Sequence, residues 1–268
     1  MKVALVRRGR VIAPFGCGVD ECGLGMTTFG AYRAQVLADE GVSAVEVRAD
    51  HVVEGPAIVW SDDVFVSKRA LESFTEAANG ELARLCMPPS RLLELTLPLQ
   101  DVDVHDGKAA FDVGFVPAGM SMKPADVFKL GPDRWRAPSY KQIDVDVRVP
   151  KYILGGASSM VWPLTSTVVM RVRHWLHVLR AGHFMPQVTL LERASASRLG
   201  SLWRAIGCIR LSRAAMMRAA RRRFVYVGRN SIVHPTATVE ASVIGDDVTI
   251  GAHSYVTSSV VGDGCVIE

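Results

Sequence analysis

The chain has 268 residues, 49% of them hydrophobic and 22% charged, which excludes a disordered chain and leaves room for one large domain or two modest ones. The net charge of +4 is unevenly spread: from Arg171 to Arg223 there are twelve Arg, no Lys and one acid, Glu192. That segment carries +11 and the other 215 residues carry −7, so a basic arm sits on an acidic body.

Residues 2–6 (KVALV) read as a short buried strand, and the Gly-rich stretch 7–28 as loop. Residues 29–40 place Tyr32, Val36 and Leu37 at helical spacing, with Gly41 as the C-cap. Val45–Val47 and Pro56–Trp60 are the next strands, the latter ending at Ser61-Asp62-Asp63. Ser67 caps a helix with Ala70, Leu71, Phe74, Ala77 and Ala78 on one stripe. Strand, helix, strand, strand, helix predicts an α/β sheet with crossovers.

Between 91 and 150 the period becomes two, in LLELTLPL, VDVHDG, AAFDVGFV and QIDVDVRVP, with Asp106-Gly107 as a hairpin signal. This predicts an antiparallel layer that packs beside the first sheet or continues it. Tyr152–Met170 has nineteen residues without a charge, the length of a membrane span. Its Gly, Ser, Thr and Pro content instead predicts a buried strand, a turn at Trp162-Pro163 and then a helix. Residues 164–223 read as basic amphipathic helices: Val169, Val172, Leu176 and Leu179 in one run, and, after a break at Gly182 and Pro186, Leu190 to Leu211 in another.

Five cysteines (17, 22, 86, 208 and 265) and no secretory leader predict ordinary thiols in a reducing, cytoplasmic setting. Cys17 and Cys22 lack the second Cys or His pair that a zinc site needs. The Arg-rich helices have three readings: packing within the protein or between subunits, contact with an anionic membrane surface, and, least favoured because no recognised motif accompanies them, nucleic acid.

Residues 233–268 carry an aliphatic residue every six positions, with two five-residue units and Gly245, Gly251 and Gly262 at corners. That periodicity predicts a parallel β-helix of hexapeptide repeats. The pattern resembles the left-handed β-helix acyltransferases. With the α/β and helical regions before it, the chain resembles the bifunctional sugar-1-phosphate nucleotidyltransferase/N-acetyltransferase family. The resemblance is specific over 230–268 and rests, over 1–150, on the order of elements and one acidic turn. It implies a degenerate GT-A nucleotide-sugar-transferase-like α/β domain over 1–150, a basic helical connector over 151–229, and a left-handed β-helix over 230–268.

It also implies a sugar-nucleotide-type transferase that moves an acyl group from acetyl-CoA or another acyl thioester to a sugar, in a homotrimer. The alternative is a non-catalytic oligomerising protein that binds a nucleotide sugar. In that family a Gly-rich loop after the first strand holds the phosphates of a sugar phosphate or nucleotide sugar. Here the same place reads Arg7-Arg8-Gly9-Arg10: the charge and Gly9 suit phosphate, but the signature is absent. Asp62 and Asp63 are the candidate Mg²⁺ ligands, since carboxylates at the end of a buried strand face the ligand crevice of an α/β sheet; they read equally as a solvated or helix-capping turn. His253 is the candidate general base for acyl transfer, or a surface histidine, and His234 before Pro235 is structural. The repeat makes about two coils and breaks off at Ile267-Glu268, so a longer natural chain is expected.

Overall fold

The computed structural model describes residues 2–148, 159–196, 225–257 and 259–268. Compactness divides the chain into two units, residues 1–22 with 29–178, and residues 23–28 with 179–268.

In the first unit, β1 (Lys2–Val6) is followed by a short hairpin, β2 (Val11–Ile12) and β3 (Cys17–Gly18). The hairpin β4 (Gly23–Leu24) and β5 (Thr27–Thr28) belongs to the second unit. Helix α1 (Phe29–Asp39) buries Phe29, Tyr32, Val36 and Leu37, the predicted stripe. Gly41, at φ +63, ends it. Next come β6 (Ser43–Val47), β7 (Val53–Glu54), β8 (Ala57–Ser61) and β9 (Val64–Val66). Helix α2 (Lys68–Ala78) starts after Ser67 and buries Ala70, Leu71, Phe74 and Ala78.

Strand β10 (Ala83–Met87) leads to α3 (Arg91–Thr96). There the expected extended LLELTLPL is corrected to a helix. Ser90 Oγ accepts the main-chain N–H of Leu93, and this cap outweighs the alternating pattern. Strands β11 (Asp103–His105) and β12 (Lys108–Val116) form the hairpin predicted from Asp106-Gly107, and both turn residues have positive φ. After β13 (Ser121–Met122) and the single turn α4 (Pro124–Val127) come β14 (Trp135–Arg136), β15 (Ile143–Arg148), β16 (Ser159–Leu164) and β17 (Val169–Arg171).

The main sheet runs β14-β10-β12-β8-β1-β6, with β11 also paired to β12. β1 is parallel to β6 and β8, and β12 is antiparallel to both β8 and β10. The antiparallel strands therefore continue the first sheet. The core holds Ile58, Trp60, Phe74, Leu85, Met87 and Phe111, all under 2% exposed. Burial on both faces explains why β8, β10 and β12 read as near-continuous apolar runs.

The region expected to be a helical connector begins as sheet. β16 pairs antiparallel with β15 through Trp162 and Pro163, and β17 pairs with β9. The turn and helix expected there are corrected. β-Branched Thr165, Thr167, Val168 and Val169 favour extended backbone, and that preference prevails. Helix α5 (Trp175–Ala196) then runs through both Gly182 and Pro186, where a break was expected. Its buried stripe of Val178, Ala181, Phe184, Met185 and Val188 crosses the proline, and that packing offsets one lost hydrogen bond. Among the described residues no helix is long and apolar enough to cross a membrane. The second expected run, Leu190 to Leu211, begins within α5, and its part from Leu199 on, with Arg221–Arg223, lies outside the described residues.

In the second unit, β18 (Tyr226–Val227), β21 (Val243–Ile244) and β24 (Val260–Val261) pair in parallel. So do β19 (Ile232–Val233), β22 (Thr249–Ile250) and β25 (Val266–Ile267), and likewise β20 (Thr238–Glu240) and β23 (Tyr255–Thr257). Ile244, Val248, Ile250, Val256 and Val261 form their core. These strands, each two or three residues long, lie in three parallel sheets of two or three strands, not in the expected left-handed β-helix. Unbroken six-residue units would pair residues about eighteen apart. The five-residue units shorten this, and partners are seventeen apart, as in His253 N–H to Thr236 Oγ1. The fold is thus mixed α/β with short strands, and this replaces the expected series of transferase-like domain, helical connector and β-helix.

Gly114 sits mid-strand in β12, where a Cβ would lie 2.3 Å from Val127 Cγ1 and 2.9 Å from the Ala83 carbonyl. Gly114→Ala is expected to destabilise the first unit by about 1–3 kcal/mol, read as a lower urea midpoint at unchanged m.

Candidate functional site

The site lies where β1 and β8 end side by side. Asp62 N–H donates to the Val6 carbonyl at 3.0 Å, so the two chain exits are fixed together. The predicted Arg7-Arg8-Gly9-Arg10 segment and the Asp62-Asp63 pair therefore meet. Both Asp62 carboxylate oxygens accept from Arg8 N–H at 3.0 Å, and Oδ2 also accepts from Gly9 N–H at 3.4 Å. Gly9 has φ +62 and open space where a side chain would project, so here glycine serves the turn. Burial pushes the Asp62 carboxyl above the ordinary range, against the pull of those two N–H donors.

Asp63 is fully buried. It accepts from Ser61 Oγ at 2.6 Å and from Arg171 Nε at 3.1 Å, with Arg8 and Arg10 Nε each at 3.8 Å. Neither carboxylate is left open for Mg²⁺, and among the described residues no group of three or more His, Cys, Asp or Glu is placed to hold a metal. The pair does not fit a metal; it anchors arginines and the main chain.

The sequence reading missed the centre of the cluster, Asp112 on β12. Its carboxylate meets Arg8 Nη2 at 2.6 Å, Arg171 Nη2 at 2.9 Å and Arg84 Nη2 at 3.2 Å. Arg84, on β10, is 3% exposed and also donates to the Phe111 carbonyl at 3.0 Å and to Asp103 Oδ2 at 2.6 Å. Arg171, at the end of β17, donates through Nη1 to the Asp101 carbonyl and through its main-chain N–H to Gln100 Oε1. Arg173 pairs with the Asp101 carboxylate and holds it below its usual range. One signal could have exposed this network: lone charges inside apolar runs, namely Asp112 in AAFDVGFV, Arg84 in ARLCM and Arg171 after VVM.

Arg7 pairs with Asp20 and with Glu46 Oε1 at 2.6 Å. Arg33 pairs with Asp20 at 2.8 Å, donates to the Asp62 carbonyl at 2.6 Å, and lies over Trp60 at 5.4 Å. Arg10 Nε is buried with no hydrogen-bond partner. Burial and the nearby Arg173 lower its pKa.

Beside the network opens a crevice of about 470 Å³. Arg7, Arg8, Arg84, Lys129 and Arg171 line it against Asp101, Asp103 and Asp112. Five basic and three acidic side chains line it; the four arginines are all ion-paired, Arg7 with Asp20 and Glu46 and Arg171 also with Asp63 outside the lining. Val102 and Phe128 add apolar surface, with the Arg8 guanidinium 5.8 Å from the Phe128 ring centre. The crevice lies at the carboxyl ends of parallel strands, which is where open α/β sheets bind ligands.

The two candidate histidines lie in the second unit. His253 is exposed at a turn with φ +63, and His234 Nδ1 accepts the Thr236 N–H at 3.2 Å, which locks its own turn.

No family model matches the chain, and no curated protein matches it.

Asp112→Asn leaves three guanidinium groups short of a charge and is expected to destabilise the protein by about 3–5 kcal/mol. Asp103, 65% exposed, is expected to cost less than about 1 kcal/mol as Asn. Urea melts of both variants check the contrast.

Proposed function

We propose that this protein binds a phosphorylated sugar ligand, a sugar phosphate or a nucleotide sugar, in the crevice beside β1 and β8. The observation that carries this is a cavity of about 470 Å³ lined by Lys129 and by the edges of four ion-paired arginines. Lys129 and the outer edges of Arg7 and Arg8 would meet phosphate oxygens, since guanidinium groups suit phosphate geometry. Phe128 and Val102 offer an apolar wall to a base or sugar ring.

This is the binding role among those that the family resemblance implies. Metal-assisted nucleotidyl transfer would need free carboxylates, and Asp62 and Asp63 are committed to arginine and main-chain donors. Acyl transfer, which the resemblance assigns to the repeat and His253, is a separate reading of the second unit and not of this crevice. The role that follows for the crevice is that of a sensor or carrier of a phosphorylated sugar. A cytoplasmic location belongs to the same reading, and the free Cys17, Cys22, Cys86 and Cys265 fit a reducing compartment.

Calorimetry with inorganic pyrophosphate and a panel of nucleoside diphosphate sugars tests the reading. Binding is expected to weaken with salt, and Lys129→Ala to weaken it about tenfold, equivalent to about 1.4 kcal/mol. Wild-type protein that binds none of these ligands ends the proposal. Release of CoA from acetyl-CoA with amino-sugar acceptors would restore the acyltransferase reading.

A further inference from the structure

The segment between β1 and α1 carries two thiols that the crevice does not use. β2 and β3 pair Ile12 with Cys17, and one turn of 3-10 helix, Val19–Glu21, follows. Cys22 closes that turn, its N–H donating to the Gly18 and Val19 carbonyls, each at 3.2 Å. The fold thereby sets Cys17 Sγ 2.8 Å from Cys22 Sγ, and both are free thiols. Cys22 is 2% exposed and Cys17 is half-buried, so one sulfur faces inward and the other is within reach of solvent.

We propose that Cys17 and Cys22 are a reversible redox site, converted to an intramolecular disulfide by a low-molecular-weight disulfide such as oxidised glutathione. A disulfide bond is about 2.05 Å long, so closure needs a movement of under about 1 Å. Gly16, at φ +70 with open space around it, lets the hairpin absorb that movement.

Burial, with the hydrogen bond to Cys17, pushes the Cys22 thiol up to about 12, so it stays protonated at neutral pH. Cys17 is therefore the sulfur that a dissolved oxidant meets. Its thiolate attacks one sulfur of the oxidant, forms a mixed disulfide and expels one thiolate. Cys22 sulfur then attacks Cys17, the S–S bond to the small thiol breaks, and the second thiolate leaves with the Cys22 proton. In total the two cysteines lose two electrons and two protons, and one small disulfide becomes two thiols.

The location gives the site a consequence. Asp20 lies between the two cysteines and grips both Arg7, at the crevice, and Arg33, which holds the Asp62 carbonyl. A disulfide across Cys17 and Cys22 would clamp this carboxylate in place.

The test uses the full chain, oxidised glutathione at pH 8, then alkylation in denaturant and trypsin without reductant. Cleavage after Arg10 and Arg33 leaves both cysteines in one peptide, residues 11–33. Two of the five cysteines are expected to resist alkylation, with peptide 11–33 lighter than its reduced form by about 2 Da and restored by dithiothreitol. In Cys22→Ser the same peptide is expected to keep a glutathione adduct on Cys17, and in Cys17→Ser to carry neither adduct nor bridge. Five alkylated cysteines, a bridge from either residue to another cysteine, or an adduct that persists on wild-type Cys17 would overturn the proposal. This result is independent of whether the crevice binds phosphate.

Discussion

The Asp112 carboxylate holds the first unit together electrostatically. It sits on the central antiparallel strand, 5% exposed, and faces arginines from three other places in the chain. Arg84 ties it to β10, Arg8 to the exit of β1 and Arg171 to β17. Burying Asp112, Arg84 and Arg171 is tolerable only because each has a partner in place and remaining donors find carbonyls. Through Arg171 the network also holds Gln100 and Asp101, so the loop between α3 and β11 is fastened to the sheet. Asp63 repeats the arrangement one strand away, sharing Arg171 with Asp112.

The crevice follows from that network. Packing arginines around two buried aspartates leaves their outer edges, with Lys129, pointing into the open space beside β1. The buried acids position the arginines, and the arginines supply the field. The Asp62 carboxylate has the separate task of turning the main chain at Arg8 and Gly9, which sets where the arginines begin.

Much of the first unit was legible in the sequence because its signals were local. The strand at 2–6, the stripes of α1 and α2, the cap at Gly41 and the Asp106-Gly107 turn all depend on neighbouring residues, whereas Ser67, expected to cap α2 with its side chain, bonds instead to Ser166 and Val168. Misreadings came where a contact distant in sequence, or a single cap, overrode the pattern. Pro186 reads as a break until the buried stripe around it is seen, and Val169 reads as helix until Val66 pairs with it. The repeat period at the C-terminus was visible, but its five-residue units govern the register, and the architecture drawn from the six-residue units did not follow. At the site, Arg8 and Asp62 were legible from their places after strands. Their roles were not, because Asp112 lies 104 residues from Arg8 and only the fold joins them.

The seventeen-residue spacing of the second unit constrains how its chain length can change. Hydroxyl and carboxylate side chains reinforce the interval: Ser231 accepts from Val248, Ser242 from Ser259, Asp246 from Arg229 and Asp263 from Asp246. Removing one residue anywhere inside would shift every later strand by one position and turn its inward aliphatics to solvent. Only whole seventeen-residue blocks could be gained or lost without moving a side chain to the wrong face. Growth of this region by duplication is therefore quantised, and a tandem copy would extend all three sheets at once.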